Sequence, residues 1–263
     1  MSQRIAIGVE YNGQHFHGWQ RQATPALPTV QGALEGAIAR VANHPVRLVC
    51  AGRTDAGVHA CGQVAHFDVA VDRGNKAWIA GVNSALPRSV RVIWAAPVNT
   101  SFHARFVALA RQYQYWIHNS RVAPGIFAGQ LAHCVAPLDA VLMHSEAQSL
   151  CGEQDFSSFR AAGCESRHAR RNVLAARVFR RGDRVCLEIS ANAFLLHMVR
   201  NIAGSLMVVG SGVQHKGWIR ELLDQRDRRL AAATASPAGL YLQQVFYPAA
   251  YALPESGAEL FGG

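Results

Sequence analysis

The chain has 263 residues, half of them apolar, enough to bury a sizeable core as one large domain or two smaller ones, which excludes a disordered or fibrous protein. Twenty-six Lys and Arg against 17 Asp and Glu give a formal charge of +9, a balance that favours a polyanionic partner, nucleic acid first, through phosphate neutralisation and counterion release. With 24 arginines and only two lysines, Lys76 and Lys216, the excess also fits a bias in base composition, so charge alone leaves both readings open.

Periodicity gives the elements in chain order. An alternating strand is expected at about 4–11, followed by a loop rich in Gly, His and Gln. Pro28-Thr29 leads into a helix at about 29–42, with Thr29 as N-cap. Strands are expected at about 46–51 and 62–69, then a helix at about 75–85 and a strand at about 90–97. This order is β-α-β-β-α-β. A long strand with Tyr113 and Tyr115 on one face and Trp116 on the other covers about 107–118. A helix follows at about 138–151, strands at about 172–180 and 184–190, and helices at about 194–210 and 216–224. The last strand is placed at about 240–247.

The order therefore occurs twice, and it is that of the ferredoxin-like unit. The expected fold is α+β: two ferredoxin-like halves, 1–100 and 101–263, with antiparallel sheets that form a central cleft. The decapeptide Met1–Glu10 lacks a secretion signal, and no uncharged apolar run reaches the roughly 18 residues of a membrane helix. The six cysteines, at 50, 61, 134, 151, 164 and 186, form no C-x-x-C pair. They read as small buried hydrophobes in a reducing cytoplasm.

Between the second and third strands stands Ala51-Gly52-Arg53-Thr54-Asp55-Ala56-Gly57-Val58-His59-Ala60. Asp and Gly are turn formers, so the string reads as a plain connection. It also reads as a reaction centre built on one carboxylate, because the loop is longer than a tight hairpin needs and Arg53 and His59 flank the acid. His15 and His17 around Phe16 have the i, i+2 spacing of a strand chelate; no further ligand stands at standard spacing, and contact with RNA is preferred over a metal. Arginines 167, 170, 171, 177, 180, 181 and 184 form a candidate phosphate-binding face, or a solvated charge run.

The string Gly52–Ala60 resembles the active-site motif of the bacterial tRNA pseudouridine synthase A (TruA) family. Similar strings follow in order: Tyr11-Asn12-Gly13 with Gly18-Trp19-Gln20-Arg21-Gln22; Ser101-Phe102-His103-Ala104-Arg105-Phe106 and Arg111-Gln112-Tyr113; Asp155-Phe156-Ser157-Ser158-Phe159-Arg160; Ala193-Phe194-Leu195 with His197-Met198-Val199-Arg200-Asn201-Ile202; and Gly239-Leu240-Tyr241-Leu242. They span about residues 5–248. The resemblance implies an isomerase that converts uridine to pseudouridine at positions 38, 39 and 40 of the tRNA anticodon stem-loop, without cofactor or metal. It implies a homodimer, with one tRNA contacting both subunits.

Carried over residue by residue, Asp55 is the essential carboxylate, acting on the ribose C1′ or by another route. Tyr113 stacks on the target uracil, Arg53 enters the RNA stem, Arg200 pairs with the carboxylate, and Leu240 lines the uracil pocket. An ionised Asp beside arginine, and a base resting on an aromatic face, suit these roles physically. Read from pattern alone, Tyr113 and Leu240 are ordinary core residues and Arg200 a helix-surface charge. Gln112 departs from the family pattern where a second arginine is common, which puts one phosphate contact in doubt. A non-catalytic RNA-binding protein on the same scaffold is the alternative. A nucleoside or glycoside hydrolase would call for paired acids, and the loop carries one.

Overall fold

The structure is a computed structural model, described for all residues except 1–2, 23–26, 71–72, 255–256, 258–259 and 262–263. The chain forms two compact units, Met1–Leu109 with Tyr241–Gly263, and Ala110–Leu240. Residues 101–109 group with the first unit for a visible reason. Arg4 binds the carbonyls of Thr100 and Phe102 through its guanidinium, and the Tyr247 hydroxyl donates to the Ala104 carbonyl.

In the first unit, β1 (Gln3–Tyr11) lies antiparallel between β4 (Val90–Val98) and β3 (His59–Val69). The short β2 (Val49–Cys50) pairs antiparallel with the other side of β3. Further along that side β10 (Leu240–Phe246) runs parallel to β3, with Tyr241 opposite His59 and Leu242 opposite Ala60. Helix α1 (Val30–Ala42) begins at Thr29, whose hydroxyl accepts the Gly32 N–H, as expected, and ends at Asn43 in the left-handed region. It buries Val30, Leu34, Ala37 and Ile38. The second helical stretch combines α2 (Gly74–Lys76), a π-helical turn (Ala77–Gly81) and α3 (Val82–Ala85).

The strand expected at 46–51 shrinks to two residues. The Leu48 N–H donates to the Glu35 carboxylate and its carbonyl accepts from the Gln31 amide, so side chains of α1 take the backbone groups a ladder would have used.

In the second unit, β5 (Ala110–Asn119), β9 (Arg184–Ala191), β8 (Arg170–Arg181) and β7 (Gly152–Asp155) follow one another in antiparallel order, and β6 (Ala132–Cys134) runs parallel to β5. The helices are α4 (Ala140–Ala147), α5 (Met198–Gly210) and α6 (Trp218–Gln225). Tyr115, Ile117, Val185, Leu187, Ile189, Ile202 and Leu206 are all at most 1% exposed and make the core of this unit. Among the described residues no helix is long and apolar enough to cross a membrane.

Candidate active site

The loop between β2 and β3 is held by its backbone at almost every residue. The Ala51 N–H donates to the Val64 carbonyl (2.8 Å), and the Gln63 amide donates to the Gly52 carbonyl (2.6 Å). The Thr54 carbonyl accepts the Trp19 N–H (2.9 Å), and the Asp55 carbonyl accepts the Val58 N–H (3.1 Å), closing a turn through Gly57 at φ 77°. The Gly57 N–H donates to the Phe16 carbonyl. Below the loop, the Thr54 hydroxyl and the Tyr11 hydroxyl share a buried hydrogen bond of 2.7 Å. Ala51, Thr54 and Val58 are buried, Asp55 is half-buried and Arg53 is exposed. The rigid frame thus presents the acid and the arginine, and little else.

His59, at the start of β3, completes the frame. Its Nδ1 accepts the Gly13 N–H (3.1 Å), and its ring stacks on Tyr241 at 4.7 Å between centroids. Under the loop, burial pushes the Cys50 thiol up to about 12, against the opposing pull of the Arg53 and Arg105 guanidinium charges. Cys50 is therefore an inert core thiol, and both arginines act electrostatically on the base of the Asp55 loop.

In the second unit, Tyr113 lies on β5 opposite Ile189 of β9, 8% exposed, with its ring edge-on to Phe194 (5.0 Å between centroids, 80° between planes). Tyr115, two residues on, is in the core as its pattern suggests, and its hydroxyl donates to the Ser236 carbonyl (2.9 Å). Burial raises its phenol well above the usual range, and Arg200 works against that rise. Arg200, on the first turn of α5, is half-buried, and its Nε donates to the Ala235 carbonyl (2.8 Å). Neighbouring Asn201 is fully buried. Its amide donates to the Phe159 carbonyl while its oxygen accepts from Arg228 and from the Thr234 hydroxyl. Asn201 thereby ties the 157–159 and 228–234 segments to the helix that carries Arg200. Leu240 is 6% exposed at the start of β10.

The structure places Arg53 and Asp55 on one loop of the first unit and Tyr113, Arg200 and Leu240 in the second. The Tyr11–Thr54 pair, the His59–Tyr241 stack, the Phe194 edge and the Asn201 network were not anticipated as supports. Tyr11, Thr54, His59, Phe194, Asn201 and Tyr241 all stand inside the quoted motif strings, and that was the available signal.

His15 and His17 are exposed on either side of the buried Phe16. Among the described residues no three His, Cys, Asp or Glu side chains gather as a metal site would require. The arginine cluster divides: Arg170 and Arg177 pair with Glu153 and Glu188 across strands, Arg171 is buried, and Arg177 and Arg181 both lie over the Phe179 ring, at 5.1 and 5.3 Å.

A family model described as tRNA pseudouridine synthase matches residues 7–107 and 147–248 of the chain. The tRNA pseudouridine synthase A of Shewanella sp. (strain MR-4) is 53% identical over 252 residues, covering 96% of each chain. Those of Vibrio cholerae serotype O1 (strain M66-2) and Aeromonas salmonicida (strain A449) are each 52% identical over 252 residues, 96% of this chain and 95% and 93% of theirs. A solved structure of a Cbf5-Nop10-Gar1 complex aligns with 90% of this chain and 48% of its own at 12% identity, with a TM-score of 0.36. A match of this extent places the chain in the tRNA pseudouridine synthase family. It is an isomerase of the pseudouridine-forming kind.

Proposed function

We propose that the protein acts on uridines 38, 39 and 40 of the tRNA anticodon stem-loop, with Asp55 as its catalytic carboxylate. The observation that carries this reading is the Asp55 loop itself, held through the backbone at Ala51, Gly52, Thr54, Asp55, Gly57 and Val58 and presenting one acid beside one exposed arginine. Preorganisation of that kind is what a reacting carboxylate needs, since a group held in place loses no free energy to reorientation during the reaction.

The isomerisation breaks the bond between the uracil N1 and the ribose C1′, turns the base, and forms a C5–C1′ bond. The C5 proton leaves to solvent and N1 gains one, so no electron donor or group donor takes part. Asp55 acts on the sugar or base as nucleophile or general base. Tyr113 supplies an aromatic face for the everted uracil and Leu240 an apolar wall. Arg53 enters the space the base has left, and Arg200 binds the carboxylate. The halves 1–100 and 101–263 contribute the acid and the tyrosine respectively. The working form is a cytoplasmic homodimer bound to tRNA.

Incubation with tRNA transcript tritiated at uracil C5 tests the reading. Label should be released to water from transcripts that carry uridine at 38, 39 or 40, and from none in which all three are replaced by cytidine. Tight binding without release would favour a non-catalytic RNA-binding protein instead.

A further inference from the structure

Beside the catalytic loop, the segment that follows β4 is fixed far more firmly than a connection requires. The Ala104 N–H donates to Nδ1 of the buried His66 (3.2 Å), and the Ala104 carbonyl accepts from the Tyr247 hydroxyl (2.7 Å). Arg4 binds the carbonyls of Thr100 and Phe102 while its other nitrogens hold Asp68. The Phe102 ring is fully buried between Tyr247 and Tyr251. A segment pinned by four side chains from distant parts of the unit is a platform, and its outer residues are Arg105 and Phe106.

Phe106 is 74% exposed, with its ring open to solvent. One face of its ring stacks on His103 at 4.2 Å with 21° between planes. The Arg105 guanidinium lies over the ring, 5.8 Å from its centroid. Arg105 and Arg53 act together on the Cys50 thiol, so the platform and the catalytic loop share one field. An exposed aromatic ring, backed by His103 and accompanied by an arginine, is chemistry for a nucleobase and its phosphate.

Given the RNA substrate proposed above, we propose that Arg105 and Phe106 form a second RNA contact: Phe106 stacks on an unpaired base close to the target nucleotide, and Arg105 neutralises the phosphate next to it. The contact is made before and during reaction alike, so it acts on binding rather than on the chemical step. His103 backs the ring, and His66, Arg4 and Tyr247 are positioning residues.

Binding of unmodified tRNA by fluorescence anisotropy, together with steady-state kinetics of tritium release, tests the contact in Phe106→Leu, Phe106→Trp and Arg105→Gln. Phe106→Leu should weaken binding by at least about fivefold and raise KM by a similar factor with kcat little changed, and Phe106→Trp should restore both. Arg105→Gln should reduce the salt slope of binding by about one. Unchanged affinity in Phe106→Leu, or failure of Trp to rescue it, would overturn the assignment. So would a shift of Phe106→Leu toward monomer in sedimentation with tRNA affinity retained, since the ring would then serve a second copy of the chain. The binding measurement stands apart from turnover: an enzyme that binds tRNA through Phe106 yet releases no tritium would sink the proposed activity and leave the contact intact.

Discussion

At Gly18 the backbone runs at φ +88°, and a β-carbon there would sit 2.8 Å from the Thr54 carbonyl and 3.2 Å from the Asp55 backbone. Gly13 is as constrained, because a β-carbon would overlap the Val58 carbonyl. The two glycines let the 13–19 segment lie directly against the loop and so set the position of Asp55. His66 imposes a different constraint. Burial, with the Arg4 and His103 charges, lowers it from 6.5 to about 4, and Asp68 pulls only weakly the other way. The folded state therefore prefers the neutral ring, whose Nδ1 accepts from Ala104, and protons bind the unfolded chain first as pH falls. This share of stability is complete above about pH 6.5 and is lost as pH drops toward 4. Thermal melts should show Tm falling through that window, and falling less steeply in His66→Asn. An equal slope in the variant would remove His66 as the cause. The sequence named Asp55, Arg53, Tyr113, Arg200 and Leu240 through their motif strings, but it did not disclose that His66 anchors Ala104, because a bond across 38 residues leaves no local pattern.

Elements were legible where local periodicity and tertiary demand agree. Helix α1 has its Thr29 cap and apolar stripe, and β1, β3, β4 and the β8–β9 hairpin appear close to the expected limits. Where they disagree, tertiary contacts decide. The helix expected from 194 begins at Met198, because His197 is left-handed (φ 59°) and the Leu196 carbonyl accepts the Ala161 N–H instead of an intrahelical partner. The short β6 and β7, without alternation of their own, were not foreseen. Helix α6 begins at a cap no local string could supply: the buried Glu146 of α4 accepts the Gly217 N–H (2.7 Å) through one oxygen and the Ile219 N–H (3.2 Å) through the other. Glu146→Ala leaves the buried Ile219 amide and the part-buried Gly217 amide without their acceptor and should cost roughly 1–3 kcal/mol in urea unfolding, while Glu146→Gln keeps one acceptor and should cost less. Equal losses in the two variants would mean that packing, not capping, is the role of Glu146.

At the level of the whole molecule, the doubled β-α-β-β-α-β order was readable because each half repeats the same alternation of elements. The return of 241–263 to the first unit was not readable, since it rests on pairing of β10 with β3 and on Tyr247 reaching Ala104. The charge of +9 gives the molecule a general attraction for RNA. In the proposed reaction the chemistry instead depends on one carboxylate, Asp55, which separates binding from turnover and makes the two measurable apart. The most direct test is Asp55→Asn assayed on tritiated anticodon stem-loop tRNA, with affinity measured on the same preparation. Tritium release should fall by at least about 10³-fold, in the range seen when a reacting group is removed, with tRNA affinity within a few-fold of wild type. A variant that still releases label at near the wild-type rate would contradict the role of Asp55.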